Sequence, residues 1–136
     1  MKIMKKIYIL LLVAAVLTGL LLGKDEIAFH FSLNKASYYL ENSDYVEAVD
    51  EFDALISQRP DMYELYINKA IALANLEKYG DALNTFRKAE TINSTDPELY
   101  YNLAHLYDIM GEETLKQECI DKGTELTFEM NMREEQ

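Results

Sequence analysis

Three asparagines recur at one interval along the chain: Asn34, Asn68 and Asn102, each 34 residues from the next. A carboxamide carries N–H donors and an accepting oxygen, so a row of them on one face can hold an extended peptide by its backbone amides. Such a grip reads the main chain rather than the side chains. Ile67, Ile71, Tyr101 and His105 stand near them at helical spacing and add apolar and aromatic surface. This is the chemistry of binding. Catalysis finds little to work with. His30 and His105 lie too far apart to share a metal or a proton. Tyr101, His105 and Asp108 share a helical face but have no nucleophile or metal cluster beside them, so they read as a polar binding surface. There is no glycine-rich phosphate loop. No catalytic residue, cofactor or metal is expected. Asn93, Ser94 and Thr95 match a glycosylation acceptor, which matters only in a eukaryotic secretory pathway and otherwise reads as a loop.

Charge narrows the partner. All 24 acidic residues lie after residue 23, against 10 basic ones, so that part of the chain carries about −14. Phosphate backbones and anionic membrane surfaces are repelled, which excludes nucleic acid and favours a basic or amphipathic protein segment. The single cysteine, Cys119, allows no internal disulfide and is most simply a small apolar helix residue.

The elements that position these residues are helices. In the stretch 63–96, Tyr66, Ala70, Leu73 and Leu76 form one apolar stripe. After a break at Lys78 to Gly80, Ala82, Leu83, Phe86 and Ala89 form a second. The same pattern recurs one period earlier and one later, giving units 29–62, 63–96 and 97–130. Its columns read Ala36, Ala70, Ala104; Phe52, Phe86, Ile120; Tyr39, Leu73, Tyr107; and Ala48, Ala82, Lys116. Asp44 with Glu47, and Asp61 with Glu64, have capping-box spacing, and Asp96 precedes Pro97 at a helix start. Turns are expected at 42–43, 59–60, 79–80, 93–95 and Gly111. Six helices follow, over about 26–42, 45–57, 62–76, 81–92, 97–110 and 113–129. The fold class is all-α.

At this level of detail the chain resembles tetratricopeptide-repeat proteins, whose 34-residue unit is matched by Tyr66, Ala70, Leu73, Ala82, Phe86 and Ala89 in the middle unit. The first unit matches with Ala36, Tyr39, Tyr45, Ala48, Phe52 and Pro60, and the third keeps Tyr100, Leu103, Ala104, Tyr107 and Gly111. The third then departs: Lys116 stands where alanine is usual and Gly123 where a larger residue is, which predicts a loosely packed sixth helix. The resemblance covers residues 25–130, followed by a polar tail, 131–136. It implies a right-handed superhelical solenoid whose concave groove is lined by the first helix of each unit. Asn34, Asn68 and Asn102 would then grip a peptide, with Asn68 at the centre. The basic clamp by which some relatives hold chaperone tails is missing, since Leu33, Ser37, Tyr101 and His105 occupy the corresponding faces.

Residues 1–24 are of a different kind. Ile7 to Leu22 carry no charge, and Lys2, Lys5 and Lys6 precede them. Two readings stand: an uncleaved signal-anchor that remains as a transmembrane helix, or a signal peptide whose removal releases a secreted protein. The poor fit of Leu17 and Leu21 to a cleavage site favours the anchor. The lysines then keep the N-terminus cytoplasmic and put the repeats on the other side of a single-pass membrane segment. The resulting expectation is a non-enzymatic, membrane-tethered adaptor that binds a peptide or helix of an envelope protein in its groove. The alternative is a structural subunit that self-associates through an apolar C-terminal edge made by Leu126, Phe128, Met130 and Met132.

Overall fold

The computed structural model describes the backbone of residues 2–134 and the side chains of residues 19, 20 and 23–134. Its helices are α1 (Lys2–Glu41), α2 (Tyr45–Gln58), α3 (Tyr63–Asn75), α4 (Tyr79–Ile92), α5 (Pro97–Met110) and α6 (Glu113–Glu134). No strand occurs among the described residues. Helices pair as α1 with α2, α3 with α4, and α5 with α6, and the pairs stack in chain order.

Each pair is closed by the same turn. The Asp44 amide donates to the Tyr39 carbonyl at 2.9 Å, Lys78 to Leu73 at 3.0 Å, and Glu112 to Tyr107 at 2.9 Å, one bond repeated at the repeat interval. The residue before each donor adopts a left-handed conformation: Ser43 at φ 65°, Glu77 at φ 60° and Gly111 at φ 76°. This is the Schellman ending of a helix, where a side chain costs energy and glycine does not. Only the third turn uses glycine. Glu77→Gly is therefore expected to stabilise the fold by about 0.5–1 kcal/mol after the added chain entropy is set against the relieved strain. Thermal unfolding followed by circular dichroism measures this. An unchanged or lowered midpoint would show that Glu77 is not strained.

The second turn lies at 76–78 rather than at 79–80, and Gly80 sits in the first turn of α4. The expected capping boxes at Asp44 and Asp61 do not form. Asp44 holds φ −82°, ψ 63°, outside the extended region a capping side chain needs, and Met62 takes the cap position of α3. Asp96 is extended and accepts from the Glu98 amide at 2.9 Å, with Pro97 opening α5 as anticipated.

Packing follows the columns. Ala36, Ala70 and Ala104 are buried between helices, and Phe52 and Phe86 fill the interior of the first two units. Leu65 and Ala72 carry α3 into the first unit's core, and Leu99 and Leu106 carry α5 into the second's. Tyrosines staple the connections between units. The Tyr66 hydroxyl donates to the Pro60 carbonyl at 2.8 Å, and Tyr100 does the same to Ser94 at 3.2 Å one repeat later.

Two helices, α1 and α6, differ from expectation. α1 runs without a break through Lys24, Asp25 and Glu26, none of which stops a helix, so the first repeat helix continues the N-terminal segment. Arg59 at the end of α2 pairs with Glu26 and lies 3.8 Å from the Phe29 ring centre, fixing this part of α1 to its partner. Among the described residues no helix is long and apolar enough to cross a membrane. The expected anchor, 7–22, lies outside the described side chains except for Gly19 and Leu20. Finally, α6 is packed rather than loose. A Cβ at Gly123 would stand 2.9–3.2 Å from three atoms of the Tyr101 ring, so the glycine is what lets that ring lie against the helix. Lys116 turns its charge outward to Asp108 at 2.8 Å and Glu113 at 3.2 Å. Leu126, expected on an apolar edge, is buried in the main core.

Candidate peptide-binding groove

Two hollows lie between α3 and α5, the first helices of the second and third units. The larger, about 210 Å³, is lined by Ile71, Ala74 and Asn75 of α3, Phe86 of α4, and Asn102, His105, Leu106 and Ile109 of α5. Its walls are mainly hydrocarbon. The carboxamide of Asn75 donates back to the Ile71 carbonyl at 2.9 Å and is occupied. Asn102 is different: its Nδ2 is buried and has no hydrogen-bond partner among the described residues. A buried donor left unpaired costs about 1–3 kcal/mol relative to a paired one, so this group favours any acceptor brought to it.

The smaller hollow, about 130 Å³, is lined by Tyr63, Glu64, Ile67, Asn68, Asp96 and Glu98. Three carboxylates make it acidic. Asp96 is held in place by its cap bond to Glu98 and by the Tyr63 hydroxyl, which donates to Oδ2 at 3.1 Å. Burial first, and then the adjacent Asp96 carboxylate, push the Tyr63 phenol above its ordinary pKa, so it remains a neutral donor. The two hollows follow each other along the groove at about one to two helical turns, roughly 5–10 Å.

The structure thus separates the residues singled out by spacing. Ile71, Asn102 and His105 meet in the apolar hollow, and Ile67 and Asn68 meet in the acidic one. Asn34 is exposed on α1 and lines neither. Tyr101 also stays out of both: its ring lies over Gly123 and its hydroxyl is 3.3 Å from that of Thr127. Ala74, Phe86, Leu106 and Ile109 line the larger hollow without having been anticipated there. Ile109 was within reach of the sequence, standing four and seven residues after His105 and Asn102 on one helical face.

No group of three or more His, Cys, Asp or Glu side chains among the described residues could hold a metal. Burial raises the pKa of the Cys119 thiol, with Glu90 and Glu118 adding to the effect, which suits a packing residue better than a nucleophile.

Comparison with known proteins agrees with this architecture. A family model described as TPR repeat matches residues 72–111, and one described as tetratricopeptide repeat matches 97–129. No curated protein matches the chain in sequence. Among solved structures, "MamA MSR-1 C2" superposes with a TM-score of 0.70 at 19% identity, covering 75% of this chain and 59% of that one. "MamA 41-end from Desulfovibrio magneticus RS-1" gives 0.71 at 18%, covering 74% and 57%. The chain therefore spans less than two thirds of the length of either structure, and at these identities the likeness is one of fold. The turn bond from Asp44 to Tyr39 gives the first unit, which the family models do not cover, the same closure as the later two. The described residues form an all-helical solenoid, and tetratricopeptide-repeat sequence is recognised over residues 72–129 of it.

Proposed function

We propose that the chain is a non-enzymatic protein-interaction module that holds a partner segment in the groove between α3 and α5. The unpaired Asn102 donor in an apolar hollow carries this reading. It calls for a backbone carbonyl beside an aliphatic side chain. The acidic hollow around Asn68 calls for a basic side chain about two to three extended residues away, given about 3.3 Å per residue. The partner is thus a basic, amphipathic segment, in keeping with the strongly acidic domain. The uncharged run 7–22 tethers the module as a single-pass anchor, with the N-terminal lysines cytoplasmic and the repeats facing an envelope protein on the far side.

A second reading, self-assembly through the C-terminal edge, rests on exposed Phe128, Met130 and Met132. Peptide arrays in which lysine and leucine are placed one to four residues apart test the first reading. The unmodified protein should bind best at a separation of two or three, and Asn102→Ala should weaken binding by roughly 5–100-fold without lowering the unfolding midpoint. Equal binding by the variant would overturn the groove assignment.

A further inference from the structure

The apolar hollow between α3 and α5 has a counterpart one repeat earlier, between α1 and α3, and the two differ in where bulk is placed. Moving back by 34 residues turns Ala74 into Leu40 and Leu106 into Ala72. In the earlier place the large side chain, Leu40, is half-buried against the first core, and the fully buried position is held by Ala72. In the later one the order is reversed: Ala74 is half-buried, and Leu106 is the fully buried residue. Bulk thus moves from the groove wall into the core, and the wall opens. The column continues as Asp108, which is exposed and paired with Lys116 at 2.8 Å, so only the middle unit carries alanine here.

Two more exchanges make the opened place apolar. Ile71 stands where the first unit has Ser37, and Ile109 stands where the first two units have Glu41 and Asn75. Beside them is the buried, unpaired Nδ2 of Asn102, alone of its kind among the described residues.

Size and polarity decide what fits. About 210 Å³ is below the roughly 300–1,000 Å³ of sites that enclose a free small molecule, so the hollow suits one side chain of a longer segment. Its lining includes no carboxylate, whereas the neighbouring hollow has three, so a basic side chain is drawn to the neighbour and an apolar one is left for this site.

We infer that this hollow is the anchor pocket of the groove, that it takes a single large apolar side chain such as leucine from the partner segment, and that Ala74 sets its size. The inference rests on the groove reading and adds a register to it. Because Leu40 occupies the equivalent wall between α1 and α3, the anchor has one position, and the partner is held with that residue against α3 and α5.

Fluorescence anisotropy with two labelled peptides tests this, each carrying lysine two residues from a variable position that is leucine in one and alanine in the other. The unmodified protein should favour the leucine peptide by roughly 10–100-fold, the gain from burying the extra hydrocarbon. Ala74→Leu, which copies the first unit, should fill the pocket from its own helix and abolish that preference. Should overpacking unfold this variant, Ile109→Asn carries the test. Ile109 is 45% exposed and asparagine already stands at the equivalent position 75, so the fold is kept and the preference should shrink several-fold. Equal affinity of the unmodified protein for the two peptides, a leucine preference that survives Ala74→Leu, or one unchanged by Ile109→Asn would each overturn the anchor pocket. The groove itself would still stand in those cases wherever Asn102→Ala weakens both peptides. Failure of both peptides to bind, or equal binding by Asn102→Ala, would remove the groove and the anchor pocket together.

Discussion

Replacing Phe86 by alanine is expected to lower the unfolding free energy by about 3–5 kcal/mol, a large share of the 5–15 kcal/mol typical of a whole domain. The ring is buried beside Ala82 and Ala89 of its own helix in the core that α4 shares with α3 and α5, so no single side chain can move in to fill the space. The cost combines lost hydrophobic transfer with a cavity that the small alanines around it keep open. Ile120→Ala, one repeat on, should cost less, because Ile120 is only partly buried and no further unit packs on it among the described residues. Urea unfolding checks both: the midpoint should fall steeply for Phe86→Ala and mildly for Ile120→Ala, with slopes unchanged. Equal shifts would mean that the columns do not report depth in the stack. Because Phe86 also walls the apolar hollow, its loss should weaken peptide binding as well. Asn102→Ala, by contrast, should weaken binding without lowering stability.

The fold was legible because a repeat states its rule three times. Alanine columns and aromatic columns at one interval leave few architectures other than stacked helix pairs, and Ala36, Ala70 and Ala104 are indeed where helices meet. Features that depend on local backbone angles were not legible. Capping-box spacing at Asp44 and Asp61 is a statement about residue types, whereas capping needs an extended backbone and a particular cap position that the spacing does not supply. The break placed at Gly80 followed the usual preference for glycine, yet Glu77 bears the left-handed turn.

The groove was half legible for a related reason. Equivalent positions in a repeat have equivalent backbones but different neighbours. Asn68 has carboxylates around it, Asn102 has hydrocarbon, and Asn34 has no unit on its outer side among the described residues. Tyr101 left the groove because Gly123, read as a weak point of α6, is a seat for its ring. Residue spacing gives the row of asparagines. Which of them lacks a partner is decided by the side chains packed around it.

Leu126→Ala is expected to destabilise the chain by about 2–3 kcal/mol, and removing residues 124–136 by at least as much. Leu126 closes the main core beside Leu99, Tyr100 and Leu103, so α6 does for the last unit what a following unit does for the others. The side chains beyond it behave differently. Phe128 is 65% exposed, and Met130 and Met132 are also exposed, at 45% and 46%, so replacing all three by serine should change stability by no more than about 0.5 kcal/mol per site. Thermal unfolding separates the two sets, and equal midpoints for Leu126→Ala and the unmodified chain would remove Leu126 from the core. The difference decides how C-terminal assembly can be examined. A truncated chain that lost its partners could have lost them by opening its third unit, including the α5 wall of the groove. The triple serine variant keeps that wall, so a loss of association there would belong to the edge itself.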